Sequence, residues 1–280
     1  MKQRILSALV FVPVLLLFMY LGGAPFAGLV VALGAIGVHE FYTMAKTKHQ
    51  VLFVPVLLGV MVMLIASYLQ VSVWLTLGIL VTFCMVFGYA VFKFPAFGVE
   101  DIAVNFLGLI YIGWTLAHLI LLGGMPDGRV LVFFAFVAMW ANDTGAYFIG
   151  ITLGKRRPWG EISPKKSVEG AIGGIITTCV ALYALNLYFG LMHGVTVILI
   201  GVVVAIIGLI GDLMESLIKR YYGVKDSGKL LPGHGGILDR FDSVMLAAPM
   251  MYYCILLAQF LKDSAMFATF FVFSYGRHAI

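Results

Sequence analysis

The sequence predicts an all-α protein, a polytopic transmembrane helical bundle with about nine spans and its active site on the cytoplasmic side. Three observations predict this fold. First, 62% of the 280 residues are hydrophobic and 11% are charged, with a mean hydropathy of +1.06, whereas a soluble domain is about half apolar and a quarter charged. Second, the apolar runs extend for about 18 residues or more, as membrane-spanning helices do, and do not alternate as the ~10-residue strands of a barrel do. Third, the basic residues collect on one side of the predicted membrane.

Nine apolar runs, bounded by glycine, proline or charge, are the predicted spans. The first run follows a short basic N-terminus and resembles a signal peptide, but eight more runs follow, so we interpret it as an uncleaved helix. A tenth apolar piece, residues 265–273, is too short to cross and is expected in the interface or against the bundle. The predicted spans are residues 5–22, 25–45, 51–69, 72–93, 102–122, 130–150, 168–190, 194–219 and 243–261.

The distribution of basic residues predicts the orientation. With these spans, the N-terminus and every second loop carry all of the 18 basic residues except Arg129, Lys262 and Arg277. Because Lys and Arg are retained on the cytoplasmic face, we expect a cytoplasmic N-terminus and cytoplasmic loops at residues 151–167 and 219–242. The net charge of +5 then suits anionic lipid headgroups, and nucleic-acid binding is not indicated.

The carboxylates divide the chain into two parts. Residues 1–125, the first five spans, are expected to pack and to face lipid, whereas residues 126–280 are expected to contain the catalytic region. Isolated polar residues in or near spans, such as His39, Glu40, Asn105 and His118, are interpreted as contacts within the bundle. Span parity puts the ends of the sixth and eighth spans on one face, so the two acidic segments, 143–169 and 212–242, are predicted to form one site.

Four polar side chains end the eighth span at a spacing that places them on one helix face. They are Asp212, Glu215, Ser216 and Lys219. Ionisable groups at this depth cost several kcal/mol unless they are paired, bind metal or face a wet cavity, so a functional site is the default interpretation. The alternative is an Asp212–Lys219 or Glu215–Lys219 pair that only tethers helices.

The segment that follows, residues 221–243, is rich in glycine. Glycines such as Gly235 and Gly236 let backbone N–H groups approach an anion closely. Cationic donors for the same anion alternate with them: Lys225, Lys229, His234 and Arg240. Asp239 and Asp242 open the ninth helix beside these donors, and carboxylates next to phosphate-binding cations indicate Mg²⁺-dependent phosphoryl chemistry. A tight loop alone would explain the glycines but not the alternation of acids and bases.

The first acidic segment begins within the sixth span, where Asp143 and Tyr147 share a helix face. After the span, Ser163 followed by Pro164 suits a helix N-cap and first turn, and an anion is favoured at a helix N-terminus. Lys165 and Lys166 would lie beside that anion. The same lysines are equally well explained by their effect on topology alone.

The spaced pattern from Ser216 to Asp242, S-x-x-K-R-x4-K-D-S-G-x2-L-P-G-H-G-G-x2-D-R-F-D, resembles the signature of the phosphatidate cytidylyltransferases, also called CDP-diacylglycerol synthases. The likeness extends to residues 142–147 and 163–170, and in length and span number to the whole chain. It implies an integral enzyme of the bacterial inner membrane that transfers the cytidylyl group of CTP to phosphatidic acid. The products would be CDP-diacylglycerol and pyrophosphate. The resemblance also implies Mg²⁺ as the cofactor, with a role for a monovalent cation left open, and a homodimer to which residues 1–125 would contribute.

The resemblance and the residue patterns described above together give the candidate site residues. The candidate metal ligands are Asp212, Asp239, Asp242 and Asp143. The candidate catalytic residues are Lys219, Asp226, His234 and Arg240, where His234 is expected to hydrogen-bond a phosphate, with ordering or capping of the loop as alternatives. The candidate substrate and nucleotide contacts are Ser163, Lys165, Lys166, Ser216, Arg220, Lys225, Lys229, Gly235 and Gly236.

The expected mechanism is an in-line attack of the lipid phosphate on the α-phosphate of CTP, assisted by Mg²⁺. Both reactants are anionic, so the site must overcome their repulsion. One alternative is a CTP-dependent kinase of a lipid alcohol, which would release CDP and would need a base. Another is an anion transporter, although transporters usually show paired half-repeats and here the polar residues concentrate in the second part.

Overall fold

The computed structural model describes residues 2–230, 233 and 235–275, and among these the side chains of 9–71, 73–230, 233 and 235–262. Over this part of the chain the regular structure is helical and contains no strand, which confirms the all-α prediction. We number nine helical segments along the chain. They are α1 Lys2–Leu21, α2 Gly23–Ala45, α3 Phe53–Tyr68, α4 Ser72–Lys93, α5 Val99–Gly123, α6 Gly128–Leu153, α7 Val168–Phe189, α8 Gly194–Tyr221 and α9 Leu238–Tyr275.

The nine segments coincide with the nine predicted apolar runs. Seven of them contain a stretch long and apolar enough to cross a membrane, whereas α1 and α3 contribute only the shorter apolar stretches Leu9–Leu21 and Phe53–Tyr68. The count of nine spans therefore stays a prediction. The last helix differs most from expectation, because it begins at Leu238, five residues earlier than predicted, and its backbone continues to Tyr275 without a separate tenth piece.

Helix α5 is not uniformly α-helical. Residues Leu109–Trp114 form a π-helical stretch between two α-helical parts, and such bulges are frequent at functional sites. Tyr111 lies in this stretch and is buried. The π-helical turn therefore brings a phenol into the interior of the bundle.

Small residues allow α6, α7 and α8 to pack closely, as is usual between membrane helices. A Cβ added at Gly145 would lie 2.7 Å from a methyl carbon of Thr177 on α7. Hydrogen bonds tie the same helices together, since Thr177 donates to the carbonyl of Ala141 at 2.9 Å and the Asn142 amide donates to the carbonyl of Ala205 on α8 at 3.2 Å. This packing fixes the part of α6 that carries Asp143.

The predicted bundle contacts of two polar residues are confirmed. Asn105 is buried and accepts the backbone N–H of Leu52 at 2.7 Å while its amide donates to the carbonyl of Gln50 at 3.0 Å. The ring of His118 lies within hydrogen-bond distance of the Trp114 carbonyl and the Tyr253 hydroxyl. Their polar atoms are satisfied within the bundle.

Candidate active site

An ion pair joins the two acidic segments. The Lys166 ammonium lies 2.5 Å from a carboxylate oxygen of Asp212 on α8. This contact confirms the prediction that the two segments meet in space. Both side chains border a cavity of about 250 Å³, together with Asn142, Asp143, Tyr147 and Lys165. The cavity therefore brings two carboxylates, from α6 and α8, together with two lysines of the loop before α7.

The predicted N-cap at Ser163 is wrong. Helix α7 begins at Val168, and its N-cap is Ser167, whose hydroxyl accepts the N–H of Gly170 at 3.1 Å. Ser163 instead closes a turn, because its carbonyl accepts the N–H of Lys166 at 3.2 Å. Ser167 directly precedes the first helical residue and caps the helix, although no proline follows it. The Ser163–Pro164 pair belongs to the preceding turn. The role of Ser163 as a substrate contact stays a prediction.

The loop before α7 is folded back by Glu169 in the first helical turn. Its carboxylate accepts the N–H of Lys155 at 3.0 Å and that of Arg156 at 3.2 Å. An acidic side chain is favourable at a helix N-terminus. The basic residues of this loop are thereby held next to the helix start while Lys165 remains exposed to the cavity.

Lys219 lies between two carboxylates. It forms an ion pair with Glu215 on its own helix, and its ammonium lies 2.6 Å from Asp239 Oδ1 on α9. The predicted alternative, a Glu215–Lys219 pair, is therefore present, but as part of a cluster of three that links α8 to α9. Asp212 lies outside this cluster, paired with Lys166 and within 3.4 Å of the Ser216 hydroxyl, which donates to it.

Asp239 also holds the glycine-rich segment. Its Oδ2 accepts the N–H of Ser227 at 2.8 Å, the hydroxyl of Ser227 at 2.9 Å and the N–H of Gly236 at 2.8 Å. The Gly236 N–H that the sequence suggested for a ligand is therefore bonded to Asp239. One oxygen of this carboxylate thus organises the loop, and the other contacts Lys219.

Glu40 on α2 is the residue that sequence reasoning missed. Its Oε1 accepts the N–H of Ile237 at 2.8 Å, and its Oε2 accepts the N–H of Leu238 at 3.0 Å and the Ser227 hydroxyl at 3.1 Å. The side chain is buried, with the residue 5% exposed. Its partners belong to the loop and the start of α9, and not to the neighbouring helices as expected. The only signal in the sequence was a single carboxylate inside an apolar span.

The glycine-rich segment has the predicted backbone freedom at Gly235. This residue has φ +84°, in the left-handed region that glycine tolerates, and a Cβ there would stand 2.5 Å from Asp239 Oδ2. Gly236 is required for a different reason, since a Cβ would stand 2.5 Å from the Glu40 carboxyl carbon. Both glycines permit close approach to a carboxylate.

The remaining predicted residues of the loop are exposed. Lys225, Asp226 and Lys229 border a second cavity of about 950 Å³ between the loop and α2, whose apolar wall includes Ile36 and Met44. Arg220 donates to the carbonyl of Val224 at 3.1 Å. Arg240 is exposed and interacts electrostatically with Asp143, whereas His234 lies outside the described residues.

The carboxylates of the two segments and a buried phenol influence one another. Asp212 interacts electrostatically with Asp143 and Asp242. Tyr111 interacts with Asp212, Asp242 and two further carboxylates, and its buried hydroxyl has no hydrogen-bond partner among the described residues. Carboxylate oxygens are the ligands that Mg²⁺ prefers, so the donor chemistry fits this ion. Within the described residues, no three His, Cys, Asp or Glu side chains are close enough together to hold a metal as they stand.

Comparison with known proteins gives one consistent result. A model of the cytidylyltransferase family matches residues 2–258. A Bacillus subtilis (strain 168) protein named phosphatidate cytidylyltransferase is 37% identical over 268 residues, which is 92% of this chain and 98% of the relative. Proteins of the same name from Staphylococcus aureus (strain COL) and Staphylococcus epidermidis (strain ATCC 12228) are 35% and 33% identical over 90% of this chain and 97% of each relative.

Proposed function

The chain belongs to the cytidylyltransferase family, and from this premise we propose how its residues carry out the reaction. It is a membrane-embedded enzyme that transfers the cytidylyl group of CTP to phosphatidate, giving CDP-diacylglycerol and pyrophosphate. The observation that supports the proposed mechanism is the Lys166–Asp212 pair, which joins a lysine of the loop before α7 to a carboxylate of α8.

Charge neutralisation is the main task of this site. A phosphate monoester carries about −1.5 to −2 charges near neutral pH, and it must approach a triphosphate that is also anionic. Lys165 and Lys166 border the cavity that contains Asp143 and Asp212, so the two lysines are suited to bind phosphate oxygens while the carboxylates remain available for a cation. Lys166, which is paired with Asp212, can bind a phosphate instead and still have an anionic partner.

The proposed ligands of Mg²⁺ are Asp212 and Asp143, which border this cavity. Asp242 is a further proposed ligand, because it interacts electrostatically with both of them. When bound, Mg²⁺ would neutralise phosphate oxygens and stabilise the departing pyrophosphate. Asp239 remains a candidate, although its oxygens already receive Lys219, Ser227 and Gly236. A role for a monovalent cation is left open.

The second task of the site is to position the two reacting phosphates. The phosphate of the lipid is already a nucleophile, so no general base is required, and the site has to hold two phosphates in line. Lys225 and Lys229, on the rim of the second cavity, are proposed to bind phosphate groups, and the apolar wall formed by α2 suits the glycerol and first acyl carbons of the lipid. The site at the end of the spans lets the headgroup react while the acyl chains stay in the bilayer.

The remaining proposals concern the setting of the enzyme. We propose that all nine helical segments cross the bacterial inner membrane with the N-terminus and the site in the cytoplasm, because the basic residues favour that face. A homodimer formed through residues 1–125 is proposed from the family resemblance alone.

The experiment uses the full chain, purified in detergent and mixed with phosphatidic acid, Mg²⁺ and CTP labelled in either the cytosine or the γ-phosphate. The proposal expects cytosine label in the lipid fraction and γ label in pyrophosphate. Transfer of the γ label to lipid, with release of CDP, would instead identify a kinase. A transporter would form neither product in detergent, and after reconstitution into lipid vesicles it would carry unchanged CTP across the membrane.

A further inference from the structure

A buried carboxylate in the first part of the chain contacts the glycine-rich segment of the second part. Glu40 lies in α2, a helix that is long and apolar enough to span the membrane, yet its side chain is buried. A carboxylate in such a position is unfavourable unless it is paired or hydrogen-bonded. Among the described residues, its three hydrogen-bond donors are Ser227, Ile237 and Leu238, and none of them is a cation. The loop therefore provides the stabilisation that keeps this carboxylate in the bundle.

Two of these donors are at the start of α9. The first N–H groups of a helix have no acceptor within the helix, and a negative charge is favoured beside them. Glu40 accepts the N–H of Ile237 and Leu238, and Asp239 accepts the N–H of Gly236. Two carboxylates from different helices thus satisfy three consecutive N–H groups. The direction and starting point of α9 depend on both of them.

Ser227 connects the two carboxylates. Its hydroxyl lies 3.1 Å from Glu40 Oε2 and 2.9 Å from Asp239 Oδ2. A hydroxyl has a single hydrogen and can donate to one of them at a time. The backbone N–H groups of Ser227, Ile237 and Leu238 keep both carboxylates in place whichever one receives the hydroxyl.

Two positions of the segment require glycine because they lie against the Glu40 carboxylate. A Cβ on Gly228 would stand 2.5 Å from Glu40 Oε1, and a Cβ on Gly236 would stand 2.5 Å from the Glu40 carboxyl carbon. Neither glycine has the positive φ that would itself favour glycine. The loop thus contains glycine at two points where its backbone must approach this carboxylate.

We propose that Glu40 is a positioning residue of the active site, which holds Ser227, Gly228 and residues 235–238 at the start of α9 in the arrangement that the reaction needs. It acts through the loop that carries Lys225 and Lys229 and through α9, which carries Asp239 in its first turn. The consequence for catalysis rests on the proposed function, whereas the ordering of the loop does not.

The test is Glu40→Gln in the full-length protein purified in detergent. Glutamine has nearly the same size, but it has one acceptor oxygen instead of two. Its NH₂ group would face an N–H group that Glu40 now accepts. The control is Asn105→Ala, which also removes a buried side chain with three hydrogen bonds, two to residues 50 and 52 and one within its own helix. Hydrogen–deuterium exchange is measured for peptides that cover 224–240, with kcat, the KM for CTP and the melting temperature.

Glu40→Gln is expected to accelerate exchange at Ile237 and Leu238 and to lower kcat/KM, each by about tenfold or more, because hydrogen bonds to a charged group are lost. Asn105→Ala is expected to lower the melting temperature and to leave the exchange of the loop unchanged. Glu40→Asp, which retains the charge, is expected to recover part of the lost activity.

Unchanged exchange in the loop of Glu40→Gln would overturn the proposal, and so would equal acceleration in all helices of both variants. If Glu40→Gln cannot be purified, Gly228→Ala replaces it, because its Cβ would stand 2.5 Å from Glu40 Oε1 and displace the carboxylate. Unchanged exchange at Ile237 and Leu238 then has the same consequence. Failure of the proposed function is recognised separately, because the wild-type protein would then form no cytidine lipid whatever the exchange shows.

Discussion

Lys219 and Asp239, which are twenty residues apart and on different helices, lie within 2.6 Å of each other. The same ammonium pairs with Glu215, so that one lysine neutralises two carboxylates between α8 and α9. Asp212, one helical turn before Glu215, is paired with Lys166 of another loop instead. The two aspartates that the family resemblance treats as equivalent metal candidates thus have different surroundings, and their variants should behave differently.

Asp239→Asn should reduce both stability and activity. The change removes the charged acceptor of Lys219, Ser227 and Gly236 from a pair whose side chains are 11% and 6% exposed. Breaking a buried pair costs about 3–5 kcal/mol, and since Lys219 keeps Glu215 we expect about 3 kcal/mol. The melting temperature in detergent and the rate of cytidine-lipid formation measure the two effects. A variant with wild-type thermal stability would mean that Asp239 does not organise the loop.

Asp212→Asn should abolish activity with little loss of stability. Its pair with Lys166 is partly exposed, with side chains 21% and 27% accessible, and partly exposed pairs contribute little to stability. Loss of a proposed Mg²⁺ ligand should lower kcat/KM by about 100-fold or more. Asp127→Asn is the matched control, because Asp127 is an exposed carboxylate at the start of α6, away from the site. Normal turnover in Asp212→Asn would remove this residue from the metal site.

The sequence predicted the helical segments and the meeting of the two acidic segments well, for a physical reason. Hydrophobic length determines which segments are helices in a membrane protein, and the alternation of basic loops determines which ends share a face. That parity predicts that the two segments meet, and the Lys166–Asp212 contact joins them. The spacing of Glu215 and Lys219 likewise requires only helix geometry.

The connections of the loop could not be predicted, because they depend on contacts between distant residues. Glu40 is separated from Ser227 by 187 residues, and no periodicity links an isolated acid in an apolar run to a partner so far along the chain. Tyr111 is one of 13 tyrosines, and only the π-helical stretch and its burial distinguish it. The N-cap of α7 is Ser167 and not the predicted Ser163, because local N-cap preferences do not specify where a turn ends and a helix begins.

Lys165→Ala should weaken CTP binding more than it changes catalysis. Lys165 borders the same cavity as Asp143 and Asp212, and among the described residues it forms no ion pair with a carboxylate. Loss of one charge-assisted hydrogen bond to phosphate corresponds to about a tenfold increase in KM. Lys155→Ala, in the same loop but outside the cavity, is the control, and both variants are measured by CTP titration. An unchanged KM for CTP in Lys165→Ala would mean that this lysine affects only the membrane topology.

Removal of divalent cations should stop the reaction, and Asp143 should affect the concentration of Mg²⁺ that restores it. Chelation removes the ion that neutralises the phosphates, so product formation should fall to background and return with added Mg²⁺. Asp143→Asn should raise the Mg²⁺ concentration for half-maximal rate by about tenfold or more. Glu161→Gln, an exposed carboxylate of the adjacent loop, should leave that concentration unchanged. Full activity in the presence of chelator would contradict the metal proposal.

Helix α3 is the critical element for the number of spans, because its apolar stretch has only 16 residues. If α3 crosses the membrane, the residues that flank it lie on opposite sides. Single cysteines at Thr47 and Leu69, in a protein whose three native cysteines are replaced by alanine, test this with a thiol reagent that cannot enter cells. We expect labelling of Leu69→Cys in intact cells and of Thr47→Cys only after permeabilisation, with Met192→Cys and Glu161→Cys behaving in the same two ways as references. Labelling of both flanking positions from the same side would exclude α3 as a span. The prediction that both acidic segments are cytoplasmic would then require a different set of spanning helices.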